Sequence, residues 1–284
     1  MPELPEVEIA ARRLTAAAAG ATVESALAPG MVTMKTFDPA LDALAGRTLD
    51  GIERRGKLFK VRFGDLTLLI HLMSAGRLQL WDKRASLRDK ASRLLVRLDG
   101  DGDRELRLRE FGTQQRAWAK LLPADAVDED PAVATLGPEA WPTLPPDVFA
   151  PLIDQPRHLH PLLRDQRTIA GIGRSWVDEI LWTARLSPFK QGDDLDADEV
   201  ERLRVAIGDR LGQALDHHEQ VIGATIPDKL PLPLEVHRRQ GEPCPRCGTK
   251  LEAIHFKDYV MSYCPEEQTG GRILKDRRLS RLLK

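Results

Sequence analysis

LFKVRFGDLTLLIHLMSAGRLQLW, residues 58–81, holds three short runs in which apolar side chains alternate with polar ones or cluster, cut by Gly64-Asp65 and by Ser74-Ala75-Gly76. Period-two patterning between glycine and aspartate breaks is the signature of strands, here 58–63, 66–72 and 77–81. The same pattern at 22–28, 48–54, 92–98, 105–109 and 115–121 carries the reading from residue 21 to residue 122. Many short strands at this spacing predict a β-sandwich or barrel. Upstream, residues 3–19 place Val7, Ala10, Ala11 and Leu14 on one helical face and stop at Gly20. Downstream, a stretch rich in Pro, Ala and Asp reads as a linker, and helical periodicity follows at 147–152, 160–165, 175–184 and 196–218. The last of these opens with Asp196 and Glu199 three residues on, a capping box. Prolines 227, 231, 233 and 243 then mark a loop-rich passage into a small terminal module.

The chain has 284 residues, enough for more than one core. Its 42 basic and 43 acidic side chains leave a net charge of −1, so total charge does not announce a polyanion partner. The distribution is uneven: 54–57, 77–93 and 275–284 are basic, whereas 125–130 and 193–201 are acidic. No run reaches the roughly 18 apolar residues that span a bilayer, and the N-terminus lacks the plan of a signal peptide. A cytoplasmic protein without a membrane partner is expected. All three cysteines lie between 244 and 264, which in a reducing compartment points to metal rather than disulfides.

Several stretches carry candidate chemistry. Removal of Met1 would make Pro2 a secondary amine, able to attack an electrophilic sugar carbon and form an iminium, with Glu3 beside it to shuttle the proton. The competing reading is that glutamates after an initial proline mark the first turn of a helix. Lys57 ends the turn Arg54-Arg55-Gly56, His71 and Met73 follow an apolar strand, and Arg109 and Phe111 close another. Apolar wedges such as Met73 and Phe111 suit the hole left by an extruded nucleotide. The glycine-flanked turn 170–173 leads into a helix whose free N–H groups, near Gly173 and Arg174, suit a phosphate. Cys244-Pro245-Arg246-Cys247, then sixteen intervening residues, then Cys264 are a zinc-ribbon signal. A matching second pair would put its fourth ligand at Glu267; His255 is the other donor nearby.

In chain order, Met-Pro-Glu-Leu-Pro-Glu-Val-Glu (1–8), Arg-Arg-Gly-Lys (54–57), His-Leu-Met-Ser-Ala-Gly-Arg-Leu (71–78), Leu136-Gly137-Pro138-Glu139, Ala-Gly-Ile-Gly (170–173) before Asp178-Glu179, and the cysteine ribbon resemble the formamidopyrimidine-DNA glycosylase / endonuclease VIII family. The resemblance runs from residue 1 to about 268, and the octet is that of the formamidopyrimidine branch. It implies an α+β multidomain fold: a helix plus β-sandwich (1–122), a linker (123–145), a helix-two-turn-helix domain (146–235), a zinc-ribbon-like β-hairpin (236–269) and a basic tail (270–284). It also implies a monomer acting on double-stranded DNA with a damaged base or an abasic site. In that reading Pro2 is the nucleophile, Glu3 the acid/base, Glu6 an organiser of the opened sugar and Lys57 a catalytic phosphate contact. His71, Met73, Arg109, Phe111, Gly173, Arg174, Lys257 and Tyr259 meet DNA, and Cys244, Cys247, Cys264 and Glu267 hold structural Zn2+. The chain departs from the family pattern at Arg174 (Asn there), Tyr259 (the finger arginine), Glu110 (a second arginine) and Glu267 (the fourth cysteine). Those departures keep a second reading open, a damaged-DNA-binding protein of the same fold with weak or no base excision.

Overall fold

The computed structural model describes residues 2–275 apart from Met31, Leu87, 101–102, 112–113 and 257–258. It forms two compact units. The first takes the chain up to Thr135 together with Leu215–Pro231; the second takes Leu136–Ala214 and the chain from Leu232 onward.

In the first unit, helix α1 (Leu4–Ala18) begins with Glu3 and Glu6 in a reciprocal capping box. Eight strands follow: β1 (Val23–Leu27), β2 (Gly51–Arg55), β3 (Leu58–Phe63), β4 (Leu66–His71), β5 (Gly76–Trp81), β6 (Ser92–Leu98), β7 (Glu105–Glu110) and β8 (Trp118–Pro123). They make two antiparallel four-stranded sheets, ordered β1-β6-β7-β5 and β2-β3-β4-β8. The expected sandwich is therefore present. Alternation does its work on β3, where Phe59, Val61 and Phe63 join the core while Lys60 and Arg62 face away. Each such buried aromatic contributes about 2–3 kcal/mol relative to exposure. Strand β8 starts later than the sequence pattern suggests because the buried carboxylate of Glu110 accepts the N–H groups of Arg116 and Ala117. That pairing also gives the family-atypical Glu110 a structural role.

The short helix α2 (Pro131–Ala134) still belongs to the first unit; the second carries α3 (Pro146–Ile153), α4 (Leu159–Arg164), α5 (Arg174–Thr183) and most of α6 (Ala197–Val221). The capping box at Asp196 and Glu199 forms as the sequence predicts. Between α4 and α5, Gln166 donates to the carbonyls of Arg164 and Ile172 and accepts from Gly171 N, which fixes the glycine turn. Gly171 sits at φ +109°, a conformation that an L side chain rarely adopts. Strands β9 (Glu252–His255) and β10 (Val260–Tyr263) form an antiparallel hairpin, followed by α7 (Pro265–Thr269).

Two buried carboxylates on α5 hold this hairpin unit together. Glu179 accepts from the backbone N–H groups of Glu235, Val236 and His237 and from Arg210. Asp178 accepts from Ser262 N at 2.9 Å and lies 2.7 Å from His237 Nδ1 and 3.2 Å from His160 Nε2. The expected linker, 123–145, divides between the units after Thr135, and Leu215–Pro231 packs with the sandwich, not with the helices that precede it. The reason is apolar, since Ile226 enters the sandwich core.

Candidate active site

The N-terminus is placed by α1 lying along β2. Thr15 exchanges hydrogen bonds with Ile52 through its hydroxyl, and Glu8 pairs with Arg54 at 2.8 Å. Moving back along α1 therefore corresponds to moving forward along β2, so Pro2 and Glu3 lie at the end where Gly56 and Lys57 turn. Glu3, Glu6 and Lys57 are all buried there, Pro2 is half-buried, and Glu3 N donates to Glu6 Oε2 at 2.6 Å. Arg77, on β5, belongs to the same neighbourhood: burial disfavours its charge, while Asp228 and Glu6 favour it.

His71 stands close enough to Lys57 to feel its charge. Burial first and Lys57 second lower its pKa to about 4, so the ring is neutral at physiological pH. Its Nδ1 accepts from Met73 N at 3.0 Å, which leaves the proton on Nε2. The ring stacks on Trp118 at 5.7 Å. Met73 sits at φ 49° at the tip of a turn that closes through Gly76 N donating to Leu72 O at 2.8 Å. A Cβ at Gly76 would stand 2.4 Å from that carbonyl, so the turn needs glycine. Phe111 N donates to Ala75 O, tying the Phe111 end of β7 to the Met73 turn. The Arg109 guanidinium lies over the rings of Phe111 at 4.7 Å and Trp81 at 5.2 Å. The structure thus brings Met73, Arg109 and Phe111 into one group.

Three residues of this unit escaped the sequence reading. Gln79 donates to Ile226 O and to Asp228, and Asp228 also meets Arg109. His218, at the end of α6, lies 3.1 Å from Pro231 O. Burial lowers its pKa, against the carbonyls of Pro231 and Pro5. None of these shows a periodic or motif signal; each is visible only once 215–231 is known to return to the sandwich.

In the second unit, Gly173 is the N-cap of α5 and Arg174 its first residue. Arg174 lies over the Tyr259 ring at 5.4 Å, so these two family-atypical positions meet. Lys257 lies outside the described residues, as does most of the basic tail.

Cys244, Cys247 and Cys264 place their sulfurs within 4.8 Å of one another, with Cys247 and Cys264 3.5 Å apart. Zinc–thiolate bonds of about 2.3 Å put neighbouring sulfurs about 3.8 Å apart, so three vertices of a tetrahedron fit. Burial pushes the Cys264 thiol up to about 12, a value that a bound cation would bring down. Glu267 does not join the cluster. Its carboxylate pairs with Arg246 at 2.6 Å and Arg185 at 3.3 Å and lies outside the sulfur group. Arg246 in turn donates to Trp182 O, and Trp182 Nε1 donates to Cys244 Sγ at 3.4 Å. His255 is exposed on β9 and is also outside the group.

Comparison with known proteins follows the two units. Residues 1–114 match a profile of the formamidopyrimidine-DNA glycosylase N-terminal domain, and 136–225 match one of the H2TH domain of the same enzymes. A formamidopyrimidine-DNA glycosylase of Enterococcus faecalis is 31% identical over 97% of this chain and 100% of its own. One from a Roseiflexus strain is 35% identical over 94% and 100%. The Lactococcus lactis Fpg complexed with abasic-site DNA superposes with a TM-score of 0.83 at 28% identity, covering 94% of this chain and 99% of the other. The same enzyme with an N7-benzyl-Fapy-dG duplex gives the same score. Among the described residues no helix is long and apolar enough to cross a membrane.

Proposed function

The chain belongs to the formamidopyrimidine-DNA glycosylase family, and on that premise we propose that Pro2, once Met1 is removed, is its nucleophile. The protein is a DNA repair enzyme, a DNA glycosylase with AP lyase activity that works on double-stranded DNA carrying a damaged base or an abasic site. Such work on genomic DNA fits a cytoplasmic monomer. In the reaction, the Pro2 amine attacks C1′ of the extruded nucleotide, the C1′–N bond to the damaged base breaks, and the base leaves with a proton. Glu3 supplies and later withdraws protons as the ring-opened iminium forms. Loss of a proton from C2′ expels the 3′ phosphate, a second elimination expels the 5′ phosphate, and hydrolysis of the iminium returns Pro2.

The observation that carries this reading is the burial of Glu3, Glu6 and Lys57 at the same end of α1 as Pro2. A buried Glu6 held on Glu3 N orients the acid/base group and meets the opened sugar. Lys57 and the Nε2–H of neutral His71 offer a phosphate one charged and one neutral donor. Met73, Arg109 and Phe111, already gathered, fill the gap and meet the orphaned base. On the second unit, the Gly173 cap, Arg174, Tyr259 and Lys257 hold the backbone of the damaged strand. Cys244, Cys247 and Cys264 hold a zinc ion that cross-links the hairpin, and no reaction step passes through it.

Borohydride reduction of enzyme mixed with abasic-site duplex tests the assignment. Protein verified to begin at Pro2 should form a covalent adduct, and Pro2→Gly should lose most of it. Full trapping by the variant would move the nucleophile to another amine, and absence of trapping by the parent would leave a binding protein.

A further inference from the structure

Tyr259 is the centre of a layered group in the second unit. The Arg164 guanidinium lies 4.3 Å from its ring centroid and that of Arg174 5.4 Å, so two like charges converge on one aromatic face system. Phe256 stacks on the same ring at 4.5 Å with the planes 11° apart, and His160 lies 5.8 Å away at 8°. Arg164 ends α4 and is only partly exposed. Its Nη1 is 3.5 Å from His160 Nδ1. His160 Nε2 lies 3.2 Å from the buried Asp178 Oδ1, and the Nε2–H tautomer would leave Nδ1 to accept from Arg164. Asp178, His160 and Arg164 thus lie in series beside the ring.

That arrangement is built rather than incidental. The neighbouring Asp165 is engaged by Arg157 and by Arg167 N, and no carboxylate among the described residues pairs with Arg164. A guanidinium held against a ring with no carboxylate on it keeps N–H groups for an incoming anion. Guanidinium forks match phosphate oxygens, and a ring that restricts them beforehand lowers the ordering cost of binding.

We propose that Arg164 is a DNA-phosphate contact, paired with Arg174 into a two-arginine clamp for which Tyr259 is the positioning residue. Its ligand, a phosphate of the damaged strand, rests on the glycosylase reading above. The charge that the family carries on the finger is supplied here from α4 and α5, and the finger contributes the platform.

The test measures affinity for a duplex bearing a tetrahydrofuran abasic analogue across a salt series, with urea midpoints as a check on folding. Arg164→Ala should weaken binding several-fold and reduce the slope of log K against log salt by about 0.9, the loss of one phosphate contact. Arg164→Lys should keep the slope and lose part of the affinity. Tyr259→Leu should weaken binding with the midpoint retained. Unchanged slope and affinity in Arg164→Ala, or parent-like binding by Tyr259→Leu, would overturn the clamp. Borohydride trapping of the same proteins separates the two ideas. Trapping without an Arg164 effect sinks the clamp alone; an Arg164 effect without trapping sinks the Pro2 reading alone.

Discussion

Asp228 Oδ1 lies 3.4 Å from Arg109 Nη1, an ion pair within the sandwich unit that holds the side chain assigned to the orphaned base. Asp228 is largely exposed, so the pair is worth no more than about 1 kcal/mol. Arg109 must leave it to enter DNA. Asp228→Asn should therefore tighten binding of an abasic duplex by up to about fivefold, measured by titration at fixed salt. Equal or weaker binding would show that the two contacts do not compete.

His71 makes stability depend on pH. Its folded-state pKa, about 4, is below the ordinary value of about 6.5, so the unfolded chain takes up the proton first as pH falls. Stability is whole above about pH 6.5 and is lost progressively down to about pH 4. Because the ring keeps some solvent access, the expected loss is on the order of 2 kcal/mol. Urea midpoints of the parent and His71→Gln, compared from neutral pH to pH 4, should diverge by that amount in favour of the variant. A constant difference would place the His71 pKa near its ordinary value.

The metal site yields to one substitution. Glu267→Cys supplies the fourth thiolate of a closed tetrahedron and frees Arg246 and Arg185 from the carboxylate. Purified parent protein should carry about one zinc, and release to a competing chelator should slow at least about tenfold in the variant, because four thiolates then close the site in place of three. Identical release rates would show that position 267 lies outside the ion's reach.

Glu179 is a structural anchor. Replacing it by Ala strips a carboxylate from three backbone N–H groups and Arg210 in a fully buried setting. The expected cost is about 3–5 kcal/mol in denaturant unfolding. A loss under about 1 kcal/mol would mean that water replaces the carboxylate.

Sandwich strands and helix spans were legible because their signals are local: alternation on β3, the capping box at Asp196, the stop at Gly20. The candidate cluster was legible for a different reason, since Pro2, Glu3, Glu6 and Lys57 sit inside contiguous motifs. What stayed hidden depends on side chains from distant segments meeting. Glu110 looked like an anomaly until its two N–H partners appeared six and seven residues on. Arg164 resembled an ordinary last-turn helix arginine, and only the hairpin brings Tyr259 onto it. Glu267 sat at ligand spacing, yet spacing says nothing of Arg246, which reaches its carboxylate.

Helix α6 starts in one unit and finishes in the other, and this bears on how the chain is made. Ile226, Glu219 and the Asp228 loop complete the sandwich core, its ion pairs to Arg12 and Arg13, and its contacts to Gln79. They leave the ribosome only after residues 136–214, a delay of roughly 4–16 s at ordinary elongation rates. For that interval the nascent sandwich keeps an apolar slot open and Arg13 without the Ile222 and Glu219 carbonyls it will cap. A polypeptide ending at Thr135 therefore lacks Ile226 in its core and the Glu219 partner of Arg12 and Arg13.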